Sequence, residues 1–342
     1  MFLMSTNIFV GSYSNKGADG IYCYSLDTIS HQLNLISKTN LVENPSYLAL
    51  SSDKETIYSV SEIYEFEGKE CGAVAALSYK NQKYSLLDLK ATDGQAPCHV
   101  LLDEPKNKLY VSNYFGGSIA MYDIDTERKL EMCDFVKHSG FGPHKERQEA
   151  PHMHFCGFID GKVCGADLGI DTIKCYDTSS DKLVHVNDIE VFKGAGVRHF
   201  IVSNKNEDLI FAICELTSEV MVIKKSGDNY EIIQRISTLP EGFTESTCAA
   251  IKQSSNGKYI FASNRGHDSI AVYELAGDQL QLVNIVDSKG KSPRDFLVLK
   301  DHVVIANQDS DNIVVFTFDE NTGELEFTGQ SIKCKQPVCV IN

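Results

Sequence analysis

The sequence predicts an all-β chain folded as a seven-bladed β-propeller, and three observations lead there. An apolar run opened by Pro or a small residue recurs seven times, at Pro45, Pro97, Pro151, Val197, Thr247, Pro293 and Pro337. The intervals run from 44 to 54 residues and average about 49, a period that fits four-stranded propeller blades. The seventh copy supplies one strand, QPVCVIN, and the amino-terminal segment supplies the three it lacks: NIFVGSYS, GIYCYSLD and LNLISKTNLV. The carboxy-terminal strand is therefore expected to join the first three in one blade and close the ring, which removes the open sheet edge.

The repeat from Asn44 shows how each blade is built. PSYLALS is a short inner strand, SSDKE a turn, TIYSVSE the second strand, AVAALSY the third and YSLLDLKA the outermost. Val, Ile, Leu and Tyr alternate with polar residues, as half-buried strands require. KLYVSNYFGGSIAMYDID, IFASNRGHDSIAVYEL and VVIANQDSDNIVVFTFD repeat the second-to-third-strand unit around polar loops, and helix-period patterns are essentially absent. Blades bury their faces only against neighbours, so one domain spanning 1–342 is expected despite the length.

Bulk properties exclude several partners. The formal net charge of −15 disfavours nucleic acid and anionic membrane surfaces. The start, MFLMSTNIFVGSYS, has no basic segment before its short apolar run and passes straight into a strand pattern, so no export signal is read. No stretch approaches the apolar length of a membrane helix. Eleven Cys, an odd number without a CxxC spacing, sit mostly inside apolar runs. They read as buried small hydrophobes in a reducing compartment, and the expected localisation is cytoplasmic.

In a propeller, the links into each inner strand and the loops between second and third strands open on one face, around the channel mouth. The first set carries Pro45, Ser46, Pro97, His99, Arg147, Gln148, His152, His154, Arg198, His199, Glu245, Arg294 and Asp295. The second carries Ser12, Tyr13, Glu62, Asn113, Tyr114, Asp167, Asp171, Glu215, Asn264, Arg265, Asn307 and Gln308. Arg198, Arg265 and Arg294 form a local positive cluster in an acidic chain, which suits a small anionic ligand gripped by guanidinium forks. His152 and His154, at i and i+2, are expected to leave the strand on one face. That spacing fits substrate contact or general-base work, a metal pair, or a structural role, and the residues alone leave all three open. GAG at 194–196 is a weak candidate for a phosphate cradle, because no helix follows it.

Six segments together are specific: RQEAPHMH (147–154), GADLGIDTIKCYD (165–177), GAGVRHF (194–200), ICELTSEV (213–220), SNRGHDSIAVYEL (263–275) and SPRDF with ANQDSDNIVVF (292–316). On them the chain resembles the seven-bladed lactonase family, which includes propeller-type 6-phosphogluconolactonases and fungal carboxy-muconate lactonizing enzymes. The resemblance implies an active site of His152, His154, Arg198, Glu215 and Arg265. It departs from the family pattern at Cys214, where Asn is usual, at Val197, where Pro is usual, and at Thr247-Cys248.

Lactone hydrolysis needs an activated water, oxyanion stabilisation and a grip on distant charge. Glu215 is expected as general base, flanking Arg keeping it ionised; His152 or His154 is the alternative base. Arg198 is expected to stabilise the oxyanion, and Arg265 and Arg294 to clamp phosphate or carboxylate. His199, Asp167, Asn113 and Gln308 complete the expected substrate contacts. No cofactor and no metal are required by this chemistry. The implied substrate is a phosphorylated sugar lactone, foremost 6-phosphogluconolactone of the pentose phosphate pathway, acted on by a monomer or weak dimer. Two other readings remain: a muconate-type lactonizing cycloisomerase using the same residues, and a non-enzymatic propeller scaffold. The scaffold reading predicts aromatic or apolar residues on the channel face, whereas the loops read as polar and ionic.

Overall fold

The computed structural model describes residues 5–342; the first four residues of the amino-terminal segment discussed above lie outside it. It contains 28 strands in seven four-stranded sheets and, among the described residues, two single-turn 3-10 helices, Ser14–Lys16 and Glu104–Lys106. The architecture is a seven-bladed β-propeller. In one sheet Pro337–Ile341 pairs beside Ser5–Ser12, followed by Ile21–Asp27 and Leu33–Thr39, so the carboxy-terminal strand completes the first blade as expected. By contacts along the chain the molecule divides into two compact units. One runs up to Val10 and adds Cys23–Leu35 and Arg198–Asn342; the other is Gly11–Tyr22 with Ile36–Val197.

Each unit buries the faces of its own adjacent blades. In the second, Tyr58 and Val60 of one blade pack with Val100, Leu109, Val111 and Tyr122 of the next. In the first, Leu209, Phe211 and Val222 meet Ile251, Ile260 and Tyr273, while Phe261 and Ile270 meet Phe296, Ile305 and Phe316. Fully burying one such side chain stabilises by about 1.5–3 kcal/mol, and second strands such as Leu209–Cys214 and His302–Asn307 are buried along their whole length, between neighbouring blades.

Two local features depart from a regular blade. Several inner strands carry a one-residue bulge near their start. Met153 pairs with Asp167 but Phe155 with Ala166, and Pro293 pairs with Asn307 but Asp295 with Ala306. The extra residues are His154 and Arg294. A bulge re-aims a side chain and breaks the two-residue alternation, so the i, i+2 argument for His152 and His154 does not hold in this strand.

The cysteine reading also needs one correction. Cys164 and Cys175 stand directly opposite each other in Lys162–Asp167 and Thr172–Asp177, with Cα atoms 4.1 Å apart, and are joined as a disulfide. A cross-strand register places two Cβ atoms within bridging reach whatever the sequence spacing. Of the other nine cysteines, eight are buried and Cys133 is partly exposed.

Candidate active site

Several second strands carry at or near their end a residue that ties neighbouring blades, followed by one that opens toward the loops. Asn113, Asn264 and Asn307 hold the tying position. Their amide groups donate to the backbone carbonyls of Thr92, Thr238 and Ser288, at 3.4, 2.8 and 2.9 Å. Asn113, expected to contact substrate, is thus fully buried, and its amide also donates to Ser118 Oγ at 3.1 Å. The following residues include Tyr114, Glu215, Arg265 and Gln308.

Glu215 lies one residue beyond Leu209–Cys214, buried to 3% exposure. Its Oε2 forms ion pairs with Arg198, 2.9 Å from Nε, and with Arg265, 2.8 Å from Nη2. Arg198, in the inner strand Val197–Val202, also donates through Nη1 to the Ala249 carbonyl at 2.5 Å and lies 3.1 Å from His199 Nε2. Arg265 donates to the Cys248 carbonyl at 2.8 Å. Two guanidinium groups on one carboxylate leave one net positive charge, fixed by buried backbone carbonyls. Burying such a cluster costs desolvation that only good geometry offsets, so it is costly as a purely structural device. Burial pushes the nearby Cys248 thiol up to about 12, so it stays protonated and is no nucleophile.

Arg294 Nη1 donates to Gln308 Oε1 at 3.4 Å, and Gln308 in turn bonds Gln336. The structure thus brings Arg198, His199, Glu215 and Arg265 into one cluster and pairs Arg294 with Gln308.

The second unit holds His152 and His154. The ring of His152 stacks on Tyr114, with centroids 4.5 Å apart and planes within 13°, and Tyr114 also meets His154 edge-on at 5.6 Å. Nδ1 of His152 is 3.2 Å from the Tyr114 carbonyl, and Nε2 is 3.1 Å from Glu149 Oε1. Both nitrogens are engaged by protein groups, so the metal-pair reading gains nothing here. Burial alone would raise Glu149, but its own backbone N–H and His152 outweigh it and hold the carboxyl below its ordinary value.

Asp167, expected to contact substrate, is completely buried, and both of its oxygens are used internally. Oδ1 accepts the backbone N–H of His152 at 2.7 Å and of Gly169 at 3.0 Å, and Oδ2 meets His138 Nδ1 at 2.7 Å. Gly169 is required here, because a Cβ would overlap the Ala150 carbonyl. The GAG loop does cradle an anion, but that anion is the Asp171 carboxylate, which accepts the N–H groups of Gly194 and Gly196 at 2.6 and 2.7 Å.

Sequence reading missed an exposed aromatic group. Tyr64 and Phe115 are 56% and 50% exposed, 5.6 Å apart, and Phe115 lies 5.7 Å from the His152 ring. The signal was the pair Tyr114-Phe115 in a loop otherwise read as polar. Arg147 Nη2 donates to the Tyr114 hydroxyl at 3.2 Å, adding a cation to the same group. Among the described residues, no helix is long and apolar enough to cross a membrane.

Comparison with known proteins agrees with this picture. Residues 7–342 match the family described as "Lactonase, 7-bladed beta-propeller". A Bacillus subtilis 6-phosphogluconolactonase is 31% identical over 97% of both chains. An uncharacterised Lactococcus lactis protein is 33% identical over 99% of both. Among solved structures, a Lactobacillus plantarum protein superposes with a TM-score of 0.91 at 30% identity, covering 98% of this chain and 99% of that one. The Pseudomonas aeruginosa periplasmic gluconolactonase PpgL superposes with a TM-score of 0.91 over 98% of both chains, and at 24% identity it shows the fold alone.

Proposed function

The chain belongs to the seven-bladed lactonase family, and we propose that it hydrolyses a sugar-acid lactone, 6-phosphogluconolactone before others. The observation that carries the reading is the Arg198–Glu215–Arg265 cluster: a carboxylate able to take a proton from water, beside two guanidinium groups able to stabilise an oxyanion. The Bacillus subtilis relative supports the phosphorylated substrate. Arg198 stabilises the tetrahedral oxyanion, Glu215 activates water, and Arg265 with Arg294 grips the anionic end. His152 and His154 contribute a hydrogen bond to the lactone or its leaving oxygen. The burial of eight cysteines inside apolar strands and strand ends, as small hydrophobes, supports a cytoplasmic setting.

The shared oxygen of Glu215 favours a second reading of one role. Glu215 then holds the two guanidinium groups in place, and a histidine is the base. The test of the function is hydrolysis of freshly generated 6-phosphogluconolactone, corrected for spontaneous opening, with gluconolactone and a muconolactone in parallel. Ring opening no faster than the blank with every lactone overturns the proposal. Faster opening of gluconolactone alone removes the phosphate from it.

A further inference from the structure

We infer that His138 and Asp167 are a positioning pair that fixes the His152 segment for the reaction. The internal repeats carry this inference. Thr92, His138, Thr238 and Ser288 occupy one equivalent position, just after an outermost strand, which Val191 and Cys334 hold in two further blades with apolar or thiol side chains. Each of the first four donates its backbone N–H back across the sheet, to Gly72, Gly117, Ser218 and Asp268 respectively. In three blades the partner is an Asn, and the tie is a neutral amide-to-carbonyl hydrogen bond. In the blade of His152 alone among these four, the pair is a carboxylate and an imidazole.

A tie between blades does not need that change. Asn113 and Asn307 perform the tie with Oδ1 left without a hydrogen-bond partner. Asp167 instead uses its second oxygen to take the His152 N–H at 2.7 Å, while the Leu168 N–H returns to the His152 carbonyl at 3.0 Å. Both amide groups of His152 are thus clamped by consecutive residues of one turn. His138 donates from Nδ1 to Asp167 Oδ2, and its Nε2 shares a hydrogen with the Tyr176 hydroxyl at 2.7 Å. Asp167, His138 and the Tyr176 ring are buried, so this chain fixes the carboxylate's orientation without meeting solvent. Charge-assisted hydrogen bonds are roughly twice as strong as neutral ones, and a 1 Å error in a reacting group can cost about 10²-fold in rate.

The inference rests on the proposed use of the His152–His154 segment in catalysis. Its test rebuilds the neutral tie of the other blades. The variant Asp167→Asn/His138→Thr, with Tyr176→Phe to remove the stranded hydroxyl, should melt near the wild-type temperature. Its kcat should fall about 10²-fold while KM changes little. The His152 amide proton, downfield in the wild type because of its carboxylate acceptor, should move upfield in ¹⁵N-resolved NMR. The nearly isosteric Asp167→Asn alone should show the same amide shift if the triple variant folds poorly. Wild-type kcat in the triple variant, or an unshifted amide resonance in Asp167→Asn, overturns the pair's role. Full activity in His152→Ala and His154→Ala with a shifted amide sinks the catalytic use of the segment instead, and leaves the clamp measured.

Discussion

Arg198 Nε and Glu215 Oε2 lie 2.9 Å apart with both side chains almost wholly buried, and that ion pair has two separable uses. If Glu215 activates water, Glu215→Gln should lower kcat by about 10²–10⁴-fold with KM little changed. Glu215→Ala should also destabilise the fold by about 3–5 kcal/mol, because it strands two guanidinium groups. Steady-state kinetics with thermal melting reads both. More than half of wild-type activity in Glu215→Gln, together with a dead His154→Asn, moves the base to histidine.

The one net positive charge of the Arg198–Glu215–Arg265 cluster, together with Arg294, should bind anions. Millimolar phosphate is expected to raise the melting temperature above that in chloride of equal ionic strength, by the linkage of binding to folding. Arg265→Ala or Arg294→Ala should remove most of the gain. An identical response in both salts would make the arginines structural.

The aromatic group beside His152 is expected to contact the substrate ring. Phe115→Ala should raise KM by roughly 2–10-fold, the range of an aromatic contact, and spare kcat. An unchanged KM for every lactone tested would assign the exposed rings to another surface.

Burial lifts Cys248 and Cys156 to about 12, well above an ordinary thiol. The unfolded chain gives up these protons near pH 9 while the folded chain keeps them, so stability is complete below pH 9 and declines above it. Melting temperature should fall from pH 9 to 11, and Cys248→Ala should flatten that slope. Iodoacetamide at pH 8 should leave both thiols unmodified in the folded protein. A slope unchanged by the substitution would disprove the assignment.

Much of the fold was legible because a period near 49 residues and two-residue alternation are properties of sequence alone. The clustering of Arg198, Glu215 and Arg265, the proposed site, was legible because their charges stand next to small or apolar strand ends. Asn113 and Asp167 look like loop residues in sequence, yet pairing across blades buries them, and no local pattern reports that. The bulges at His154 and Arg294 are equally silent, since register is settled between strands. His138 did leave a trace: it stands where three other repeats carry Thr92, Thr238 and Ser288 and two carry Val191 and Cys334, a departure visible only after the blades are aligned on structure.

The blade shared by both ends invites a direct cut. Val338, Cys339 and Val340 are buried, and the Val340 N–H donates to the Asp295 carboxylate at 2.9 Å. Deleting 337–342 should cost several kcal/mol on burial alone and lower the melting temperature accordingly. An unchanged melting temperature would refute the closure.

That shared blade also sets a clock. Between Ser12 and Pro337 lie more than three hundred residues, and a ribosome adding about 5–20 residues per second needs roughly 15–65 s to cross them. Throughout that interval Ser5–Ser12 waits with one rim of its backbone unmatched, the kind of rim on which another chain can template itself. A chain ending just short of Pro337 keeps that rim open for good, and is expected to aggregate more readily than the full chain.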